Sequence, residues 1–180
     1  MASRIRRASK PALVAVAALC AAAAYAQDTP APAKHHFSLP KAGETFPRKD
    51  EVSEVKLTSI QSDGRFSVLD EVWHPGFTVP PHFHKEHAEV FYVVEGQVEW
   101  TVGGETHVVG PGGLVYIPPD TVHSVKVVGD KDYRGVMIYN PGGYENNIYR
   151  EKEYTKEQLQ QPDVEKKLRA LGDFNPVAKK

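Results

Sequence analysis

Four residues in the middle of this chain have side chains that bind metals: His82, His84, Glu89 and His123. His82 and His84 are two positions apart, so in a β-strand both imidazoles point to the same face. Pro80-Pro81 stiffens the approach, and Phe83 turns to the opposite face. Glu89 is an odd number of positions from either histidine, and a single continuous strand would aim it away. A turn over 85–88 between two antiparallel strands resets that parity and lets Glu89 face His82 and His84. Phe91 and Val93 then follow Glu89 inward and line an apolar pocket. His123 comes after the strand-like run Leu114–Ile117 and a tight corner at Pro118-Pro119-Asp120. Three imidazoles and one carboxylate facing inward make a site for one divalent transition metal, with one or two positions left for water or substrate. The donor set does not select among Fe, Mn, Ni, Co, Cu and Zn.

The elements that must position these residues are short and β-like. Between about 52 and 140, glycine and proline cut the chain into the runs Val52–Ile60, Arg65–Trp73, Val90–Glu95, Gln97–Val102, Thr106–Val109, Leu114–Ile117, Ser124–Val128 and Tyr133–Tyr139. Asp63-Gly64 and Gly103-Gly104 are hairpin turn signals. Twelve of the 14 glycines lie from Gly64 to Gly143, as the corners of a compact β unit require. Seven or more short strands at this spacing predict a sandwich or small barrel. After Asn140-Pro141-Gly142-Gly143 the composition turns to Glu, Lys, Gln and Leu. Thr155 and Gln158 fit a capping box, Leu159, Val164, Leu168 and Leu171 form an apolar stripe, and Pro162 divides the segment into two short helices that end at Gly172. These helices are expected to dock on the β unit.

The chain has 180 residues, 22 basic and 23 acidic, for a net charge of −1, and a single cysteine. That balance argues against a nucleic-acid partner, which needs a basic face. The charge is uneven. Residues 1–26 hold Arg4, Arg6, Arg7 and Lys10 and no acid, then an apolar run from Pro11 to Ala24, then Ala24-Tyr25-Ala26. That order predicts a secretory signal peptide cleaved after Ala26, and the run of about 14 residues is short for a membrane span. Cleavage leaves 18 basic and 23 acidic residues, a net of −5. It also removes Cys20, so the mature chain has neither a thiol nucleophile nor a disulfide. A periplasmic or secreted protein with no membrane attachment is expected. Residues 27–50, rich in Pro, Ala, Lys and Thr, read as an arm before a β unit over 51–143 and a helical extension over 144–180.

The central segment resembles the cupin family of small jelly-roll β-barrels. Gly76, His82, His84, Glu89 and Gly96 occupy every fixed position of that family's first motif. Gly112, Pro118 and His123 match its second, where Asp120 stands for a glycine and Val127 for an asparagine. Asp tolerates turn geometry, and Val127 replaces a late polar position that is not a ligand. The resemblance implies an all-β fold, a single jelly-roll barrel with a short C-terminal helical segment. It also implies His82, His84, Glu89 and His123 as the ligands of one metal ion, and a homodimer through edge strands such as Val52–Ile60.

Within the family the segment is most similar to quercetinase-like dioxygenases. This implies a small enol or phenolic substrate, dioxygen as co-substrate, Glu89 as the catalytic base, and Phe77, Phe91, Val93, Val115 and Ile117 as pocket walls. Two other functions fit the same residues. One is an isomerase or decarboxylase acting on a small acid or sugar, for which Arg65 and Arg134 are the nearest arginines. The other is a periplasmic protein that binds a metal or small ligand without catalysis. Outside the set, Glu86 and His87 are expected in a solvated turn, and His74 and His107 at strand ends. His35-His36 reads as a solvated pair, Trp73 and Trp100 as packing residues, and Tyr92 and Tyr116 as core or as hydroxyls facing a pocket.

Overall fold

The computed structural model describes residues 34–177, and the leader expected over 1–26 lies outside them. The strands form two antiparallel sheets. One sheet runs β1 (Glu44–Pro47), β2 (Glu51–Leu57), β3 (Ser67–Trp73), β10 (Tyr133–Asn140), β5 (Ala88–Glu95) and β8 (Leu114–Ile117). The other runs β11 (Asn175–Pro176), β4 (Thr78–Phe83), β9 (His123–Val127), β6 (Val98–Val102) and β7 (Glu105–Val109). Burial alternates residue by residue: β3 buries Ser67, Leu69, Glu71 and Trp73, and β10 buries Tyr133, Gly135, Met137 and Tyr139. That period of two turns one face of each sheet toward the other. Trp73 sits where they meet, its ring 4.5 Å from Tyr133, 4.9 Å from Phe77 and 6.1 Å from Trp100. Each fully buried Leu69, Val93 or Val98 contributes roughly 1.5–3 kcal/mol of transfer free energy to this core.

The all-β jelly-roll expectation holds as a two-sheet, cupin-like sandwich whose sheets do not close into one barrel. The arm read over 27–50 contains strand β1, which pairs with β2 from Glu44↔Val55 to Pro47↔Val52. The run Val52–Ile60 is therefore not a free edge, because β2 has β1 on one side and β3 on the other. Glycine is required at Gly96, where φ is +73° and a Cβ would collide with the Asp132 carbonyl.

The C-terminal segment folds into α1 (Glu145–Glu151), a 3₁₀ turn at Gln158–Gln160 and α2 (Pro162–Leu171). The Thr155/Gln158 box forms reciprocally: Thr155 N–H donates to Gln158 Oε1 (2.8 Å) and Gln158 N–H to Thr155 Oγ1 (3.2 Å). It caps the 3₁₀ turn rather than an α-helix. Pro162 takes the first turn of α2, where its missing N–H costs nothing. Val164 and Leu168 are buried, whereas Leu171 is 40% exposed, so the apolar stripe is shorter than its spacing suggests. Buried Glu145 ties α1 to the sheet. Its carboxylate accepts from Ser59 N–H (2.6 Å), Ser59 Oγ (2.7 Å), Gly143 N–H (3.0 Å) and Ser67 Oγ. Among the described residues no helix is long and apolar enough to cross a membrane.

Candidate metal centre

His82 and His123 are register partners across β4 and β9. The β4 ladder is irregular between Val79 and His82, which is where Pro80-Pro81, lacking N–H donors, must sit. His84 follows the last residue of β4, and the chain turns back at 85–87 into β5, which brings Glu89 in from the other sheet. Asp120 holds the second corner with φ +58°, and its N–H donates to the His84 carbonyl at 2.7 Å. The left-handed conformation that the motif assigns to glycine is thus carried by an aspartate, and that corner is tied directly to the His-x-His strand.

The three imidazoles present nitrogens within 4.8 Å of one another, and all three side chains are buried. Each Nδ1 lies against a backbone carbonyl: His82 on Pro80 (2.8 Å), His84 on Asp173 (3.0 Å) and His123 on Thr121 (2.9 Å). A carbonyl only accepts, so the proton sits on Nδ1 and each Nε2 keeps its lone pair for a metal. Glu89, 2% exposed, has Oε1 3.4 Å from His84 Nε2 and Oε2 3.0 Å from His123 Nε2. No donor reaches Oε2 in hydrogen-bonding geometry, which leaves a buried carboxylate oxygen unsatisfied beside three free imidazole nitrogens. That orphaned atom and the preset tautomers are what a cation-binding site requires, and the three histidines are positioned to bind a metal.

Burial opposes charge throughout the cluster. It pushes His82 down to about 3, with neighbouring His123 adding to the effect, so the ring is neutral at any physiological pH. Burial also lowers His84, against the pull of Glu89. For Glu89 the desolvation cost is outweighed by the surrounding imidazoles, His123 foremost, and its carboxyl stays below the usual range. His123 moves up, because Glu89 outweighs its burial. Glu89 therefore holds negative charge inside the sandwich, where a divalent cation has the greatest electrostatic effect.

Beside the cluster is a partly open cavity of about 50 Å³. An outer cleft of about 410 Å³ shares Arg48, Glu51, Phe77, Val79, Tyr144 and Phe174 with it. Of the expected wall residues, Phe77 and Phe91 line the cavity. Val93 and Ile117 lie in the closed core, 0% and 1% exposed, and Val115 lines a separate groove with Val102 and Tyr116. Strand parity identifies the inner face but not how deep along the strand a residue sits. The expected packing residues Trp73 and Trp100 are buried and also form cavity wall.

Several other expectations change. His87 is in the turn, but it is buried, and its Nδ1 donates to the Pro141 carbonyl at 2.7 Å. His107 lies within β7 and is exposed. Tyr92 and Tyr116 are half exposed on the outer face. Arg134 is occupied by Asp70 on the surface, and Arg65 is exposed; the arginine at the cavity is Arg48, paired with Glu51 and Glu151. The reading of the residues also missed the C-terminal contribution. Phe174 stacks on His82 with centroids 4.1 Å apart and planes 14° apart, and β11 pairs with β4 through Pro176↔His82. Tyr139 and Tyr144 stack at 4.0 Å, each 6.1 Å from His84.

A two-sheet antiparallel sandwich with a histidine cluster between its sheets is the architecture of cupins. Residues 70–139 match the family described as the cupin domain, and this match agrees with the cupin-like fold of the two sheets. Quercetin 2,3-dioxygenase of Bacillus subtilis is 33% identical over 100 residues, which cover 53% of this chain and 28% of that protein. The chain thus spans a little over a quarter of the length of that relative. Among solved structures, KdgF from Halomonas sp. superposes with a TM-score of 0.53 at 19% identity, covering 59% of this chain and 94% of that one. The ectoine synthase of P. lautus gives 0.50 at 27% identity, covering 58% and 75%.

Proposed function

We propose that this protein is an exported, metal-dependent oxidoreductase of the dioxygenase type that acts on a small enol or phenolic substrate. The observation that carries this reading is the buried, donor-free Oε2 of Glu89 beside three imidazoles with preset tautomers. Likeness to the Bacillus quercetin 2,3-dioxygenase supports the chemistry. His82, His84, His123 and Glu89 would hold one divalent transition metal. Such an ion supplies Lewis acidity that stabilises an enolate or phenolate oxygen and, if redox-active, opens a path to dioxygen.

The residues of the chain do the rest. Glu89, buried and held ionised, accepts the hydroxyl proton of the substrate at Oε1, the oxygen not turned to the metal. The carbonyls of Pro80, Asp173 and Thr121 keep the imidazoles from rotating as charge develops. Trp73, Phe77 and Phe91 exclude water from the electron-rich carbon that dioxygen oxidises. The cavity shares walls with the outer cleft, so the part of a substrate that reacts sits at the cluster and any remainder extends into the cleft.

The test is oxygen uptake by protein loaded singly with Fe, Mn, Ni, Co, Cu or Zn, against a panel of flavonols and 1,3-diketones. Uptake with a redox-active ion, lost in Glu89→Gln, is expected. No uptake with any pairing overturns the dioxygenase reading. Export follows from the order of basic, apolar and small residues over 1–26. Its check is the intact mass of periplasmic protein, which should begin at Gln27.

A further inference from the structure

The cavity has a second carboxyl group that the proposed chemistry does not use. Glu71 lies on β3, 3% exposed, among the residues that line the cavity. Ser53 Oγ donates to its Oε2 at 3.0 Å and Trp73 Nε1 at 3.2 Å. Both donors fall on one oxygen, and among the described residues none reaches Oε1. No cation pairs with this carboxyl, although Arg48 lines the same cavity; Arg48 is engaged by Glu51 and Glu151 instead.

We infer that Glu71 is a substrate-recognition residue, a neutral carboxylic acid whose Oε1–H donates a hydrogen bond to an acceptor oxygen of the substrate. This rests on the reading that an enol or phenol oxygen of the same molecule is held at the histidine cluster. With Oε2 accepting twice, the carboxyl proton belongs on Oε1, the oxygen left for the cavity's occupant. Burial pushes this carboxyl up to about 8, with Glu51 adding to the effect, so the acid form is the native one at neutral pH. A buried carboxyl without a counter-ion is costly, and such groups concentrate at functional sites.

The register gives the spacing of the two oxygens. Glu71 pairs with Gly135 and Glu89 with Tyr139, on opposite sides of β10 and four residues apart along it. At about 3.3 Å per residue and about 4.8 Å per strand, their backbones lie on the order of 16 Å apart. Both side chains leave the same face of the sheet, so the two carboxyl groups are well separated along the cavity. The substrate class is therefore a phenol or enol with a neutral carbonyl remote from its ionisable hydroxyl, and a 1,2-chelating diol does not reach.

The test uses zinc-loaded protein, which binds without turnover, and two probes, 4-hydroxyacetophenone and 4-ethylphenol, titrated by calorimetry. The readout is the ratio of their two affinities, compared between wild type and variant so that the differing acidity of the phenols cancels. Glu71→Leu, or Glu71→Met if the leucine variant does not fold, should lower that ratio about tenfold, as loss of one hydrogen bond predicts. Glu71→Gln, whose amide N–H still donates, should keep part of it. Zinc stoichiometry and melting temperature of each variant confirm an intact site. An unchanged ratio overturns the assignment of Glu71 while leaving the histidine-cluster reading in place. Failure of wild type to bind either phenol overturns both.

Discussion

The ring of Phe174 lies flat on the imidazole of His82, 4.1 Å between centroids and 14° between planes. One residue earlier, the carbonyl of Asp173 receives the Nδ1–H of His84 at 3.0 Å. Two adjacent residues near the end of the described chain thus steady two of the three clustered histidines. Phe174→Ala should weaken zinc affinity on the order of tenfold, the lower end of what outer-shell partners contribute, and Phe174→Tyr should retain it. A competition titration with a chromophoric chelator measures both. Equal affinity in wild type and Phe174→Ala would refute a role for the stacked ring.

Metal binding should report the cluster directly. A site that fills only in the native state raises stability by about 4 kcal/mol when free metal is a thousandfold above its dissociation constant. Zinc-loaded protein should therefore melt well above the chelator-treated form. His84→Ala should remove both the shift and the bound zinc measured by elemental analysis. If the two forms melt together, the cluster is not a metal site.

Glu71 makes a prediction about pH. Its ordinary value is 4.5 and its native value about 8, so between these limits the unfolded chain releases a proton that the folded chain keeps. The stabilising contribution is complete below pH 4.5 and is lost as pH rises to about 8. Glu71→Gln has no such slope. Relative to wild type it should gain stability from pH 5 to pH 8, by on the order of 4 kcal/mol in the limit. Urea denaturation of both proteins at each pH isolates this group from the others, and parallel profiles would show Glu71 ionised in the native state.

Glu145 is buried for a different reason. Its carboxylate collects donors from Ser59, Ser67 and Gly143. These bonds outweigh its burial and hold it below the usual carboxylate range, so its contribution is present at neutral pH and lost as the solution is acidified. Glu145→Ala strands the Ser59 N–H, while the Gly143 N–H keeps Ser67 Oγ as acceptor at 2.8 Å, and should cost about 2–3 kcal/mol in chemical denaturation. The zinc stoichiometry of the folded variant should be unchanged.

The strands could be read from glycine, proline and period-two patterning because those signals are local. The Leu114–Ile117 run coincides with β8, and most others differ by one to three residues at an end. Strand β1 was hidden because Glu44–Pro47 exposes three of its four residues and ends in proline. The histidine cluster was legible for a related reason: parity and two turns suffice to bring His82, His84, Glu89 and His123 to one face. Glu71, Arg48 and Phe174 were not legible. Their place depends on which strands become neighbours and on a segment that returns 89 residues after His84, neither of which leaves a mark on spacing. His87 shows the same limit, since a turn position says nothing of the Pro141 carbonyl that covers it.

The span of the His84–Asp173 contact also bears on the order of events during folding. A hydrogen bond closed across 89 residues is among the slowest to form, since a long loop must be ordered before it is rewarded. The sandwich can assemble its hairpins first, with the His84 ring still free to present either nitrogen. Only when the C-terminal segment docks is Nδ1 engaged and Nε2 committed to the centre. Zinc capture during refolding should therefore lag the burial of Trp73 and Trp100, and make metal uptake a clock for the final step rather than a nucleus for the first.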